Sequence, residues 1–483
     1  MSRFFSPIYS FLFLSLVLLT LLVVAIVFEG KEISLKSGYI LKLFDINLIL
    51  KAENTNSELK KDSVVQIIES TEVLEEKIEN DTTNIKIDTL KILNALKPLQ
   101  IDKNFQSRIE YPTSGKETLK TFFEALKNAR NQSMHIVYFG DSQIEEDRFS
   151  GFMRENLQKH FGGSGCGWLP FMPVAQWIYP KVSYSDNWVK WSCFASSPKA
   201  GEIYGPMGQS FVFDSNKGKG KVTIKCNANV SPNVCLFNKI KLFYGFAKEL
   251  ILLHYYSGGK KILSDTLNGG SCFNVKEFPV SSTEETTFEF EGFESPVFYG
   301  FSLESFGNGV YVDNVALRGS SGTFFHLLHS EALRLFFLQQ NVKLVVLQFG
   351  GNAMPMIDSE EKAVQYAQYI SGQIKTIKRI YPQVSILFVG PSDMCVNQNG
   401  EMQTHPFLER VNEELKKVVL SNNCAYFDMY QAMGGRNSML IWVEKNYAAK
   451  DYIHFSPAGA RKMASLIYYS LMKDYSDYVE NNL

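Results

Sequence analysis

Five short apolar runs, each ending in small or polar residues, constrain this chain more than any other feature. They are His135–Phe139, Val310–Leu317, Val342–Phe349, Val384–Val389 and Ala425–Met429. Segments of helical periodicity lie between and around them: Glu117–Ala129, a stretch carrying Phe149, Phe152, Met153, Leu157 and Phe161, then Phe324–Leu338, Glu361–Ile380, Pro406–Leu420 and Pro457–Leu471. Their apolar residues recur three and four apart, as a helix with one buried face requires. Strands that alternate with helices are joined by crossovers, and crossovers imply a parallel sheet covered on both faces. The expected fold class is therefore α/β, with an open, flavodoxin-like parallel sheet of five strands. Ligands bind such sheets at the carboxyl ends of the strands.

The rhythm breaks between the first and second strands. From about Val174 to Gly307 the runs alternate as strands do, at Ser210–Asp214, Lys221–Cys226, Ile251–Tyr256, Thr287–Phe290 and Val297–Leu303. Gly, Ser, Asn and Pro punctuate them, and Lys239–Leu250 carries the one helical pattern. A segment this long is no loop, and it predicts an inserted all-β domain, a sandwich or jelly roll. Inserted between two strand ends, it is expected to overhang the crevice and to select the substrate. There are no internal repeats.

The N-terminus reads differently. Phe11 to Phe28 is an uncharged run whose apolar character begins near Ile8, about enough to cross roughly 30 Å of hydrocarbon. Arg3 precedes it, and Glu29, Lys31 and Glu32 follow, which favours an inside N-terminus and an extracytoplasmic remainder. A cleaved signal peptide is the alternative, but its apolar region is usually about 7–15 residues long and ends in a small-x-small site. No such site lies at Val27-Phe28-Glu29-Gly30. Residues 29–105 are polar, with a short helical pattern at Ile85–Leu96, and read as a spacer. The expected organisation is a cytoplasmic N-terminus at 1–7, a transmembrane helix at 8–28, a stalk at 29–105, the α/β domain at 106–175 and 307–475 around the insert at 176–306, and a tail at 476–483.

With 49 basic and 50 acidic residues, nothing favours nucleic acid as a partner. The seven cysteines form no C-x-x-C pair, so zinc-ribbon and thioredoxin-like motifs are unsupported. Their odd number leaves at least one thiol free or paired between chains. One disulfide among Cys226, Cys235 and Cys272 and a set of seven buried small side chains are equal readings.

Polar residues gather at the predicted strand ends: Gly140-Asp141-Ser142, Arg318-Gly319-Ser320-Ser321-Gly322, Gly350-Gly351-Asn352 and, before the last helix, Asp451-Tyr-Ile-His454. In a parallel sheet these ends face one crevice. A serine hydroxyl is a poor nucleophile until a base removes its proton, and His454 is the natural base for Ser142. Asp451 can accept the other ring N–H, fixing the tautomer and stabilising the imidazolium. An attacked ester carbonyl becomes an oxyanion needing preorganised donors. The N–H groups of Ser142 and Gly319 and the side-chain amide of Asn352 can supply them. Gly322 is the alternative for the glycine.

This arrangement resembles the SGNH hydrolase family, also called GDSL-like esterases, whose letters come from Ser, Gly, Asn and His in four blocks. The blocks match in order and spacing, and the fourth runs on into Phe455-Ser-Pro-Ala-Gly459. The first departs from the family pattern, with Gln143 in place of leucine, a change expected to leave the triad untouched. Phe161-Gly-Gly-Ser-Gly-Cys-Gly-Trp168 and the insert are similar to the bacterial branch that deacetylates cell-wall or exopolysaccharide sugars, peptidoglycan O-acetylesterases among them. The resemblance implies a membrane-anchored, extracytoplasmic O-acetylesterase of an acetylated polysaccharide, with Ser142, His454 and Asp451 as its triad and no metal or organic cofactor. Two other functions fit the same residues: an acetyltransferase acting on a polysaccharide, and a sugar-binding scaffold with an idle triad.

Simpler roles compete at other positions. Asp141 reads as an orienter of the nucleophile turn. Glu145, Glu146 and Asp147 read as an anionic first helical turn. His326 and His329 share a helix face but lack a third metal ligand. Trp168, Trp177, Trp188 and Trp191 read as core, with stacking on sugar rings as the alternative.

Overall fold

The computed structural model describes residues 32–34, 40–42, 64–66 and 99–481, apart from 103, 176–179, 195–200, 228–231, 281–284 and 306. The segment at 8–28 read as a transmembrane helix, most of the stalk, including Ile85–Leu96, and Trp177 therefore lie outside the described residues. Among the described residues, no helix is long and apolar enough to cross a membrane. The chain divides into two units, Met1–Gln66 and Ile67–Leu483. In the first, Glu32–Ser34 pairs antiparallel with Ile40–Lys42.

The second unit opens with β1 (Ile109–Glu110), α1 (Lys120–Lys127), β2 (Met134–Gly140) and α2 (Ser150–Phe161). Ten strands follow: β3 (Gly167–Leu169), β4 (Lys181–Tyr184), β5 (Trp188–Ser192), β6 (Gln209–Phe213), β7 (Gly220–Lys225), β8 (Lys239–Gly245), β9 (Ile251–Ser257), β10 (Lys260–Leu267), β11 (Asn274–Pro279) and β12 (Glu285–Glu291). An eleventh, β13 (Val297–Glu304), leads back to β14 (Val310–Ala316), α3 (Ser330–Gln339), β15 (Val342–Gln348), α4 (Glu360–Ile380) and β16 (Ser385–Val389). A hairpin of β17 (Cys395–Gln398) and β18 (Glu401–Thr404) precedes α5 (Leu408–Ser421), β19 (Ala425–Phe427), α6 (Met429–Met433), α7 (Ser438–Glu444) and α8 (Pro457–Asn481).

The parallel sheet has the order β14-β2-β15-β16-β19, with β1 added antiparallel at the far edge. In sequence rank the parallel strands run 2-1-3-4-5, the flavodoxin-like order with its switch point beside the first strand. Val137 and Phe139 of β2 face a core built with α3, α4 and α5. Ile136 and Tyr138 alternate to the opposite face. The strands and helices expected for this parallel layer are all present. The last helix continues to Asn481, through most of the segment read as a tail.

The insert is an antiparallel sandwich. One sheet has the order β11, β8, β13, β6 and β5, with β3 also paired to β13. The other runs β10, β9, β12, β7 and β4. Aromatic rings fill the space between them, with Phe171 4.6 Å from Phe301, Phe288 4.9 Å from Phe301 and Phe290 4.6 Å from Phe298. The helical pattern read at Lys239–Leu250 is instead β8, paired on both sides. Two long partners override local periodicity there.

The sandwich lies along the edge strand β14 and against α3, sharing a core with the α/β layer. Phe243 of β8 meets Phe336 of α3 edge-on at 5.1 Å, and every residue of β13 is buried. Trp168 donates its indole N–H to the Tyr299 carbonyl and its backbone N–H to Asp313. Trp168 and Trp188 are core residues.

A buried ionic cluster joins the two layers near the amino end of β2. His135 Nδ1 lies 2.9 Å from Asp313 Oδ2 and its Nε2 3.4 Å from Glu304 Oε1. Lys241 reaches Glu304 Oε2 at 2.8 Å, and Gln340 donates to Glu304 Oε1 at 3.0 Å. Burial disfavours a charged imidazole, but Asp313 and Glu304 outweigh it and raise the pKa of His135. Burial likewise opposes the Glu304 carboxylate, yet His135 and Lys241 hold its pKa well below the usual range.

All seven cysteines are free, so the disulfide considered among Cys226, Cys235 and Cys272 is not formed. His326 and His329 have structural partners: His326 lies 3.5 Å from the Gln373 amide, and His329 Nδ1 accepts from the Ala332 N–H at the start of α3. Among the described residues, no group of three acidic, His or Cys side chains could hold a metal ion.

Candidate active site

β2 ends at Gly140, and the chain turns sharply through Asp141 and Ser142. The turn is fixed from inside: Asp141 Oδ1 accepts from the Gln143 N–H at 2.9 Å. Ser142 does not open a long helix. A short 3₁₀ turn follows it, Glu146 and Asp147 adopt left-handed φ values of 59° and 61°, and α2 starts only at Ser150. The three acidic residues read as a first helical turn are instead partners of arginines. Glu145 holds Arg318, Glu146 holds Arg148 and Asp147 holds Arg154.

The Ser142 hydroxyl oxygen lies 3.0 Å from His454 Nε2. On the other side of the ring, His454 Nδ1 is 2.8 Å from Asp451 Oδ2. Asp451 Oδ1 accepts from the backbone N–H groups of Ile453 and His454, at 2.9 and 3.0 Å. Burial would raise the Asp451 pKa, but these bonds and the imidazole lower it on balance. Asp451 is thus an anion aimed at the ring, and such a chain can move a proton from the hydroxyl to the imidazole.

Asn352, in the turn after β15, donates from Nδ2 to Asp141 Oδ2 at 2.8 Å and to the Ser320 carbonyl at 3.3 Å. One carboxyl therefore ties the serine turn to the asparagine turn. Burial pushes the Asp141 pKa up to about 6, although Gln143, Asn352 and His454 oppose the shift. Gly319 sits in the turn after β14, closed by the Ser320 N–H on the Leu317 carbonyl. Its φ is +79° and a Cβ there would meet nothing within 4 Å, so backbone conformation, not crowding, calls for glycine. Gly322 also has a left-handed φ, but it packs against Phe349.

A cleft of about 650 Å³ surrounds Ser142 and His454. Asn352 lines it together with Pro355, Pro391, Met394 and Met429, and among the described residues none of its lining comes from the sandwich. Gly319 lies in the neighbouring turn. The structure therefore brings Ser142, His454, Asp451 and Asn352 together and sets Gly319 beside them.

Gln143 was not singled out as a site residue, and its departure from the family leucine does reach the histidine loop. Its side-chain amide donates to the Ile453 carbonyl at 2.8 Å, and its oxygen accepts from the Phe455 N–H at 3.3 Å. These bonds grip the backbone on both sides of His454. Replacing Gln143 by leucine removes both, each worth about 1 kcal/mol. Steady-state kinetics on p-nitrophenyl acetate should show kcat lowered by about tenfold with KM little changed. An unchanged kcat would mean that the loop holds its own position.

Residues 285–462 match the GDSL-like Lipase/Acylhydrolase family. The match takes in Gly319, Asn352, Asp451 and His454. It begins within the insert, taking in β12 and β13, and Ser142 precedes it. The fold is similar to that of a solved structure titled as a peptidoglycan O-acetylesterase in action, with a TM-score of 0.61 and 19% identity over 76% of this chain and 99% of that one. An acetyl xylan esterase matches 33% of this chain and 80% of its own at 14% identity and a TM-score of 0.26. An acetylxylan esterase from Geobacillus stearothermophilus, a catalytic mutant, matches 34% and 73% at 17% identity and a TM-score of 0.25. No curated protein matches the sequence. Over residues 285–462 the chain is thus similar to the GDSL-like hydrolases.

Proposed function

We propose that the protein removes O-acetyl groups from a polysaccharide, with Ser142 as nucleophile, His454 as general base and then acid, and Asp451 as the orienting carboxylate. The observation that carries this reading is the unbroken hydrogen-bonded chain Ser142–His454–Asp451 at the carboxyl end of β2. His454 takes the hydroxyl proton as Ser142 attacks the acetyl carbonyl. It then gives that proton to the departing sugar oxygen, leaving an acetyl-enzyme. Water, deprotonated by the same imidazole, releases acetate. The Ser142 and Gly319 N–H groups and Asn352 serve the oxyanion. Asn352 keeps one amide hydrogen on Asp141, and the longer contact with the Ser320 carbonyl is the one an oxyanion replaces. Pro355, Met394 and Met429 give the methyl group an apolar seat. The fold similarity to a peptidoglycan O-acetylesterase supports a cell-envelope polymer as substrate. The apolar run at 8–28 supports anchoring to a membrane with the esterase outside the cytoplasm.

The test is acetate release from acetylated peptidoglycan, xylan and exopolysaccharides without an added acceptor. Release from at least one is expected. Hydrolysis of p-nitrophenyl acetate with no release from any polymer would sink the carbohydrate reading. Asn352→Ala should reduce kcat by roughly 10²–10³-fold, the usual loss for one oxyanion donor. A kcat equal to wild type would remove Asn352 from that role.

A further inference from the structure

A second cleft opens on the other side of the nucleophile turn, between that turn and the sandwich. Glu145 and Glu146 line it. They follow Ser142 by three and four residues, so chain length alone keeps Glu145 within about 11 Å of the serine, Cα to Cα. Its apolar wall is Leu169, Pro170, Pro173 and Val174, from the chain that enters the sandwich. Gln209 of β6 and Asn314 of β14 also line it.

These two carboxamides carry the inference. Gln209 Oε1 and Asn314 Oδ1 are buried and have no hydrogen-bond partner among the described residues. Gln209 is only 3% exposed. Buried polar atoms nearly always have a partner, so two orphaned acceptors lining one cleft call for donors from outside the protein. The acidic residues there do not call for a cation. Each is neutralised by its own arginine, most closely Glu145 by Arg318 at 2.7 and 2.5 Å. What remains is a cleft whose charges are paired, with an apolar wall and unpaired acceptors, which matches the apolar face and the hydroxyl or amide donors of a sugar ring.

We propose that this cleft binds a sugar residue of the substrate next to the one whose ester is cleaved, its donors on Gln209 Oε1 and Asn314 Oδ1 and its ring face on the proline-rich wall. The inference rests on the carbohydrate-ester reading above. The sandwich then contributes to recognition by walling a subsite beside the nucleophile turn.

Gln209→Leu removes one acceptor at similar volume, and Ala175→Trp fills the cleft from its rim, where Ala175 lies. Both variants and the wild type are assayed on O-acetylated peptidoglycan fragments, acetylated xylan and p-nitrophenyl acetate. The ratio of kcat/KM on the cleaved carbohydrate ester to that on p-nitrophenyl acetate should fall at least tenfold in each variant. A ratio unchanged in both variants, with a wild type that cleaves carbohydrate esters, overturns the subsite and leaves the carbohydrate reading standing. A wild type active on p-nitrophenyl acetate alone overturns the carbohydrate reading, and the subsite with it.

Discussion

Replacing Ser142 by alanine should lower ester hydrolysis by roughly 10⁴–10⁶-fold, the range expected when the nucleophile of a serine hydrolase is removed. The Oγ atom makes one side-chain bond, to His454, and the turn around it is held by Asp141 and Gln143. The variant should therefore fold as the wild type does, and circular dichroism and thermal melting will check this. A fluorophosphonate should label the wild type and leave the variant unlabelled. Residual activity within about tenfold of wild type in a folded variant would exclude Ser142 as nucleophile.

Glu304→Ala should destabilise the protein by about 3–5 kcal/mol, because it leaves the buried Lys241 ammonium without its carboxylate partner and His135 with Asp313 alone. The chemical unfolding midpoint reads this effect, and a loss under about 1 kcal/mol would show that water or relaxation compensates the cluster. The same cluster sets a pH dependence. His135 has a raised pKa, so its contribution is complete below its unfolded value, near 6.5, and is lost as pH rises through the higher folded value. Glu304 has a lowered pKa, so its contribution is present above roughly 4.3 and is lost as pH falls below that. Stability should therefore decline on both sides of a mildly acidic maximum, and Glu304→Ala should flatten both limbs.

The parallel sheet was legible because each of its strands is an apolar run buried on both faces, and such runs stand out against the helices between them. The site was legible for a related reason. Strand-end residues of a parallel sheet converge, so Ser142, Asn352 and His454 could be brought together before any distance was known. Gln143 was not legible, since its partners at Ile453 and Phe455 are about 310 residues away and it contacts only their backbone. In the sandwich, β6, β7, β9, β12 and β13 were found, but β3, β4, β5, β10 and β11 were not; β10, for one, is an edge strand exposed over most of its length. β8 carried a helix-like pattern because nearly all of its residues are buried. That burial also hid the docking of the sandwich. Alternation announces one buried face, and the sheet containing β8 and β13 has two.

This two-sided burial bears on how substrate preference can change in evolution or engineering. A module that hangs from flexible joints can be exchanged whole, bringing a new specificity with it. Here one sheet is at once a wall of the sandwich core and a wall of the hydrolase core, with Phe243 against Phe336 on one side and Phe301 against Phe288 on the other. Grafting a foreign module would tear open both interiors. New preferences in this lineage should therefore arise by replacement of single residues along the cleft walls, while the sandwich itself stays in place.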